Sequence, residues 1–180
     1  MSQKELEILS RIARAAGDGI MRIYSGAFQV DYKEPGDPVT DADREANTLI
    51  CEQLLVHFPD AAIVAEESPS QSYTGYREHS RVFFVDPLDG TREFVARNGQ
   101  FVVMIGLLVD DQPTLGVVYA PVTGTLWYGA PDLGAHRVER DGTQREIRVR
   151  LLLPWMASGQ SVVIMARSRI QQEQQRPWTI

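Results

Sequence analysis

Cysteine is nearly absent from this 180-residue chain, and the single Cys51 rules out an intrachain disulfide. One cysteine fits a reducing compartment, and with no base partner evident in the sequence it reads as a core filler inside a helix and not as a nucleophile. Histidine is equally scarce: His57, His79 and His136 lie far apart with no ligand spacing, so a zinc centre is not expected. Positive charge is in deficit as well. A net charge of −6 and a pI near 5.1 argue against a surface that grips nucleic acid polymers, while leaving room for a small phosphorylated substrate whose charge is neutralised by metal ions. No apolar run approaches the roughly 18 residues of a membrane span. The charged start, Met1-Ser2-Gln3-Lys4-Glu5, lacks the apolar stretch of a secretory signal, so a cytoplasmic protein is expected. Repeats with periods of 20 to 50 residues are also missing, which disfavours solenoids.

What is present is periodic. Leu6, Leu9, Ile12, Ala13, Ala16, Ile20 and Ile23 recur at steps of three and four and predict a long helix with one apolar face, stopped near Gly26. A short extended piece, Phe28 to Tyr32, leads to a loop through Pro35, Gly36 and Pro38, where helix is excluded. Thr40 or Asp41 can cap a second helix whose stripe is Ala46, Leu49, Ile50 and Leu54, ending at Phe58-Pro59. Two short buried strands follow, Ala61 to Ala65 and Val82 to Val85, separated by a polar loop from Pro69 to Ser80. Beyond Phe94 the pattern is a β-meander: Phe101 to Val109, Leu115 to Ala120, Thr125 to Gly129, Ala135 to Glu139 and Glu146 to Arg150, with Asp141-Gly142 as a hairpin signal. Tyr119, Trp127 and Tyr128 read as sheet aromatics. A further strand is expected at Ser161 to Ala166 and a loose tail from Ile170. The fold class is therefore α+β, an antiparallel sheet packed against helices, with residues 1–150 as the first domain and 151–180 as the start of another plus tail.

The chemistry concentrates in Val82-Phe83-Phe84-Val85-Asp86-Pro87-Leu88-Asp89-Gly90-Thr91, where a buried strand delivers two carboxylates, a glycine and a hydroxyl into one expected turn. Taken alone, an Asp-Gly of this kind is usually a solvated strand end. Likewise Asp43 alone is a charge at a helix start, Glu66-Glu67 a solvated strand end, and Thr91 a cap. Their joint spacing changes the reading: Asp43, Glu66 and Asp86 stand 23 and then 20 residues apart, each at a strand end or helix start. Hard oxygen donors so placed suit Mg²⁺.

In order and distance these signals resemble the inositol monophosphatase superfamily of magnesium-dependent phosphatases. The run Asp86-Pro87-Leu88-Asp89-Gly90-Thr91-Arg92-Glu93-Phe94, followed by Arg97-Asn98-Gly99-Gln100-Phe101, is most similar to the bacterial 3'(2'),5'-bisphosphate nucleotidase branch; inositol monophosphatases proper usually have Thr-Asn-Phe in place of Arg92-Glu93-Phe94. The resemblance implies a layered sugar-phosphatase-like fold. It implies Glu66, Asp86 and the Leu88 carbonyl as ligands of a first Mg²⁺, and Asp86 with Asp89 as ligands of a second. It further implies Asp89, Gly90 and Thr91 at the substrate phosphate, with Glu66 and Thr91 orienting a water and Asp43 hydrogen-bonded to Thr91. Glu67 is a neighbour of the ligands and not one of them.

The implied activity is removal of the 3'-phosphate from adenosine 3',5'-bisphosphate, giving AMP, a step of sulfur metabolism. The alternatives are an inositol monophosphatase-type activity or a catalytically incomplete metal- and phosphate-binding fragment. The resemblance extends from residue 1 to about residue 168. A Trp-Asp-x-x-Ala-Gly type motif, which in the family adds an aspartate to the second metal, is not found in these 180 residues. The expectation is thus a chain truncated at its C-terminus, with its second α/β domain largely missing and a homodimer or a complementing chain as possible partners.

Overall fold

Helix α1, Gln3–Tyr24, follows directly from the predicted stripe: Leu6, Leu9, Ile12, Ala13, Ala16 and Ile20 are all buried, and the charged residues between them face outward. The computed structural model describes residues 3–34, 36–131 and 133–148. The strand expected at 161–166, the segment from 151 and the tail from 170 lie outside the described residues. After α1 come β1 (Val30–Glu34), β2 (Asp37–Thr40), α2 (Asp41–His57), β3 (Ala62–Ala65), β4 (Arg81–Asp89), α3 (Thr91–Val95), β5 (Val102–Val109), β6 (Gln112–Ala120), β7 (Thr125–Ala130), β8 (Gly134–Val138) and β9 (Gln144–Ile147).

Seven of these strands form one sheet in the order β3-β4-β5-β6-β7-β8-β9, so neighbours in sequence are neighbours in space. All pairs are antiparallel except β3 with β4, which run parallel with Ala65 beside Val85. The crossover between that parallel pair is the polar segment 66–80, which holds two single 3₁₀ turns, Ser70–Tyr73 and Tyr76–Glu78. Alternation along each strand sends Phe83, Val85, Val103, Ile105, Leu107, Leu115 and Val117 into the core under α1 and α2. Helix α1 packs on β5 and β6, and α2 on α1 and β4. Each such side chain contributes on the order of 1.5–3 kcal/mol by leaving water.

Three expectations need correction. The extended piece after α1 starts at Val30, not Phe28, and it pairs with a second strand, β2, that was expected as loop. Pro38 lies inside that strand opposite Tyr32, which is possible because a two-stranded ribbon has open edges where a missing N–H is tolerated. The third correction matters most for function. The strand predicted to end at Val85 runs on to Asp89, so Asp86-Pro87-Leu88-Asp89 is extended and not a turn. Proline disfavours helical backbone at the residue before it, which keeps Asp86 extended, and Leu88 is drawn into the core. The ladder to β5 absorbs one extra residue between Asp86, opposite Met104, and Asp89, opposite Val102. Such a bulge bends a strand and re-aims its side chains. The chain turns only at Gly90, with φ 96° and ψ 39°.

Candidate metal and phosphate site

Three elements end at the same place. Strand β3 finishes at Ala65 and hands over to Glu66, whose amide donates to the Val85 carbonyl at 3.0 Å and so continues the parallel pair to the level of β4's acidic end. Strand β4 supplies Asp86, Leu88 and Asp89, and Gly90 starts α3 with Thr91 as its first residue.

Asp43 arrives from α2, where it is the third helical residue of a capping box: its Oδ2 accepts from the Thr40 amide at 2.7 Å and from the Thr40 hydroxyl at 2.6 Å. Its other oxygen, Oδ1, accepts from the Thr91 hydroxyl at 3.0 Å. The helix-cap reading and the site reading of Asp43 therefore hold together, one carboxylate oxygen for each. The same Thr91 hydroxyl lies 3.2 Å from the Leu88 carbonyl oxygen. With one proton it donates to one of these acceptors at a time, and its lone pairs stay available. Burial raises the Asp43 pKa above the ordinary carboxylate value, against the lowering effect of the Thr40 and Thr91 hydrogen bonds.

Asp86 sits under stronger pressure. Burial, the charges of Glu66 and Asp89, and a hydrogen bond with Glu66 push its pKa up to about 8, while the Leu88 amide, donating to Asp86 Oδ1 at 3.2 Å, pulls the other way. Carboxylates crowded in this way beside a backbone carbonyl favour a cation among them, and the donors are all hard oxygens. The set fits a divalent cation such as Mg²⁺. The side chains are not drawn into a tight nest: among the described residues no group of three or more His, Cys, Asp or Glu is arranged as a metal cluster.

Glu66 and Asp89 thus each act electrostatically on Asp86, and Asp43, Thr91 and the Leu88 carbonyl form a separate hydrogen-bonded trio. Three cations have partners that the sequence does not name. Lys33, from β1, places its ammonium 2.5 Å from Glu67 and 3.6 Å from Glu66. Arg92, from α3, donates from Nε at 3.0 Å and Nη2 at 2.5 Å to the Gly36 carbonyl, fastening the β1–β2 hairpin to the helix that follows Gly90. Arg97 caps the end of α1 by donating to the Tyr24 and Gly26 carbonyls, its guanidinium lying over the Tyr24 and Phe28 rings. Arg92 and Arg97 belong to the run that carries the resemblance, yet for all three cations only tertiary packing gives the partner. Two of the histidines have partners outside the acid set: His79 bonds the Asp60 carbonyl and His136 the Leu133 carbonyl. Burial pushes the Cys51 thiol up, away from thiolate chemistry.

Comparison with known proteins places this arrangement in context. Residues 1–173 match the family model described as the inositol monophosphatase family. The chain is 41% identical over 171 residues to a 3'(2'),5'-bisphosphate nucleotidase CysQ of Salmonella typhimurium, covering 93% of this chain and 65% of that protein. Among solved structures it is similar to CysQ from Bacteroides thetaiotaomicron, with TM-score 0.63 and 32% identity over 76% of this chain and 49% of that one. It is similar also to a Thermotoga maritima IMPase, with TM-score 0.72 and 29% identity over 83% of this chain and 55% of that one. The chain spans just under two thirds of the length of the first curated relatives it matches.

Proposed function

The chain belongs to the inositol monophosphatase family, and from that premise we propose that it is a Mg²⁺-dependent phosphomonoester hydrolase acting on adenosine 3',5'-bisphosphate, releasing the 3'-phosphate to give AMP. The observation that carries the reading is the Asp43–Thr91–Leu88 trio standing beside the crowded carboxylates of Glu66, Asp86 and Asp89.

Uncatalysed hydrolysis of phosphate monoesters is among the slowest reactions known, and its transition state carries negative charge on several oxygens. Glu66, Asp86, the Leu88 carbonyl and Asp89 would hold the metal. When bound, it supplies positive charge for the phosphate oxygens and makes water a stronger acid. The remaining work falls to the chain itself. Thr91 Oγ1, its own proton directed at Asp43 or at the Leu88 carbonyl, offers a lone pair to an attacking water and orients it with Glu66. Asp43 is suited to receive the proton that Thr91 passes on, since burial makes it a better base than a solvated carboxylate. Gly90 and Thr91 would bring their amides to the phosphate at a turn whose left-handed backbone glycine adopts without strain. A small phosphorylated substrate suits an acidic chain only through such a metal, which is why nucleic acid polymers are not proposed as partners.

A second reading has its own support. The crowding of Asp86 by Glu66 and Asp89 is what metal binding alone requires, and it makes no demand on turnover. Phosphate release from adenosine 3',5'-bisphosphate and from inositol monophosphate, with Mg²⁺ and with EDTA, separates the readings. Turnover of the nucleotide with Mg²⁺ alone supports the proposal. Magnesium binding by calorimetry without turnover of either substrate supports the binding domain, and preference for inositol monophosphate overturns the substrate assignment.

A further inference from the structure

We propose that Arg97 is the positioning residue of the Gly90–Thr91 turn: it fastens that turn to the end of α1 and so sets where the phosphate contacts stand relative to the metal acids. The inference rests on the phosphatase reading above and adds to it a residue that acts only through others.

The acids and the turn are held by different parts of the fold. Glu66 follows β3, and Asp86 and Asp89 lie in β4, so the sheet fixes all three. Gly90 and Thr91 instead open a helix of five residues, too short to hold itself in place. Its support is an aromatic cluster. Phe94 donates its amide to the Gly90 carbonyl at 2.9 Å, and its buried ring packs with centres 5.1 Å from Phe101, 5.1 Å from Tyr24 and 4.8 Å from Phe28. Gly90 itself rests on Gln100 and Phe101, the far end of the loop that carries Arg97. Two of the four rings, Tyr24 and Phe28, come from the end of α1 and the segment after it.

Arg97 ties those two rings to α3. Its guanidinium lies 5.5 Å from the Tyr24 ring centre and 5.0 Å from that of Phe28, and it donates from Nη1 to the Tyr24 carbonyl and from Nη2 to the Gly26 carbonyl at 2.6 Å. Such carbonyls at a helix end lack intrahelical partners. The Arg97 amide meanwhile donates to the Phe94 carbonyl at 3.0 Å, so one residue bonds α3 through its main chain and the end of α1 through its side chain. It does so at φ 52°, a left-handed conformation that a side chain resists, and the contacts outweigh that resistance. Without the guanidinium fork the aromatic seat can tilt, moving the Gly90 and Thr91 amides and the Thr91 hydroxyl while the acids stay with the sheet. A misplacement of about 1 Å can weaken a positioned contact on the order of a hundredfold. Loss of Arg97 therefore separates phosphate from metal, which loss of an arginine that only caps a helix would not do.

Two calorimetric titrations test this, Mg²⁺ alone and then inorganic phosphate at saturating Mg²⁺, on wild type, Arg97→Gly, Arg97→Lys and Arg14→Gln, each first checked for native circular dichroism. Arg97→Gly removes the side chain and suits the left-handed backbone, and Arg97→Lys keeps the charge without the fork, so either one can answer if the other fails to fold. Arg14 lies over the Tyr119 ring at 5.1 Å, a contact of the same kind on α1 with no bond to α3. Mg²⁺ affinity is expected to stay within about twofold of wild type in all of them, while phosphate affinity falls about tenfold in Arg97→Gly, about threefold in Arg97→Lys and not at all in Arg14→Gln. Unchanged phosphate affinity in the Arg97 variants, or a loss of Mg²⁺ affinity as large as the loss for phosphate, overturns this inference alone. A wild-type chain that takes up no phosphate with Mg²⁺ overturns the phosphatase reading and this inference with it.

Discussion

Two Asp-Gly-Thr tripeptides, Asp89-Gly90-Thr91 and Asp141-Gly142-Thr143, have the same residues in the same order and the same left-handed glycine, with φ 96° and 86°. Everything that surrounds them differs. At the second, all contacts are local: Asp141 Oδ1 accepts from the Thr143 amide at 2.8 Å, and the Gly142 and Glu139 amides close the hairpin between β8 and β9. At the first, Thr91 reaches a carboxylate 48 residues away, and Gly90 lies against the backbone of Gln100 and Phe101. A tripeptide sets the path of the chain, and the acids that tertiary structure brings to it set the chemistry. The comparison can be broken at each of its three positions.

The glycines should separate most. A Cβ on Gly90 would sit 2.8 Å from the Gln100 carbonyl oxygen and 3.3 Å from Phe101 Cα, in a left-handed conformation that side chains resist; a Cβ on Gly142 would meet nothing within 4 Å. Gly90→Ala is expected to cost about 3 kcal/mol or more by urea unfolding, through clash and strain together, and Gly142→Ala about 1 kcal/mol, through strain alone. Equal costs would mean that both glycines serve the turn and nothing else.

The acids come next, compared through metal and not through stability, with Asp86, three residues before Asp89, standing for the first tripeptide's surroundings. Asp86, on the strand leading into the first tripeptide, is buried among like charges; Asp141 is fully exposed and bonded only to its own turn. Asp86→Asn should reduce Mg²⁺ affinity by at least about a hundredfold in calorimetry, since a neutral amide replaces a central ligand, while leaving the metal-free chain no less stable. Asp141→Asn should leave Mg²⁺ binding unchanged. A loss of binding in both would move the metal away from the first tripeptide.

The threonines give a smaller contrast. Thr91→Val removes the hydroxyl that donates to Asp43 and leaves that buried carboxylate one partner short, for an expected cost of about 1–2 kcal/mol. Thr143 contributes its amide to the turn and is exposed, so Thr143→Val is expected within about 0.5 kcal/mol of wild type. Paired thermal or urea unfolding reads both.

These contrasts also mark how far sequence reasoning reaches. Helix α1, the Thr40 cap of α2 and the five-strand meander were legible because their signals are local and periodic: a stripe at steps of three and four, a capping pair three residues apart, alternation between turns. The match of Asp43, Glu66, Asp86 and Thr91 to a family pattern placed the candidate site before any geometry was known. Strand β2 was not legible, because Pro35, Gly36 and Pro38 carry the composition of a loop and only pairing with β1 makes a ribbon of them. Nor was the extension of β4 through Asp89, since Asp-Pro and Asp-Gly are turn signals and the bulge that accommodates them lies in the register with β5. The partners of Lys33 and Arg97 were beyond reach for a related reason: they stand 34 to 73 residues away, and no local pattern names them.

The last contrast is the weakest in energy and the most direct in sign. Hydrogen bonds from Thr143, its amide first, hold the Asp141 carboxyl below its ordinary pKa, whereas Asp43, beside the first tripeptide, is raised by burial. A depressed carboxyl binds its proton more weakly in the folded chain than in the unfolded one. Its stabilising effect is present above the ordinary carboxylate range and is lost as pH falls through the folded-state value. Asp43 has the opposite sign: the folded chain holds its proton more tightly, so its contribution favours folding at low pH and fades as pH rises through the folded-state value. Titration followed by carboxyl carbon NMR should place the Asp141 midpoint below the ordinary aspartate value and the Asp43 midpoint above it. Replacing Thr91 with valine removes one of the bonds that oppose the rise at Asp43, and should move that midpoint further up while leaving Asp141 where it was. If both midpoints moved together, the two tripeptides would be coupled through the sheet; if only Asp43 moved, the difference between them lies in the partners each one meets.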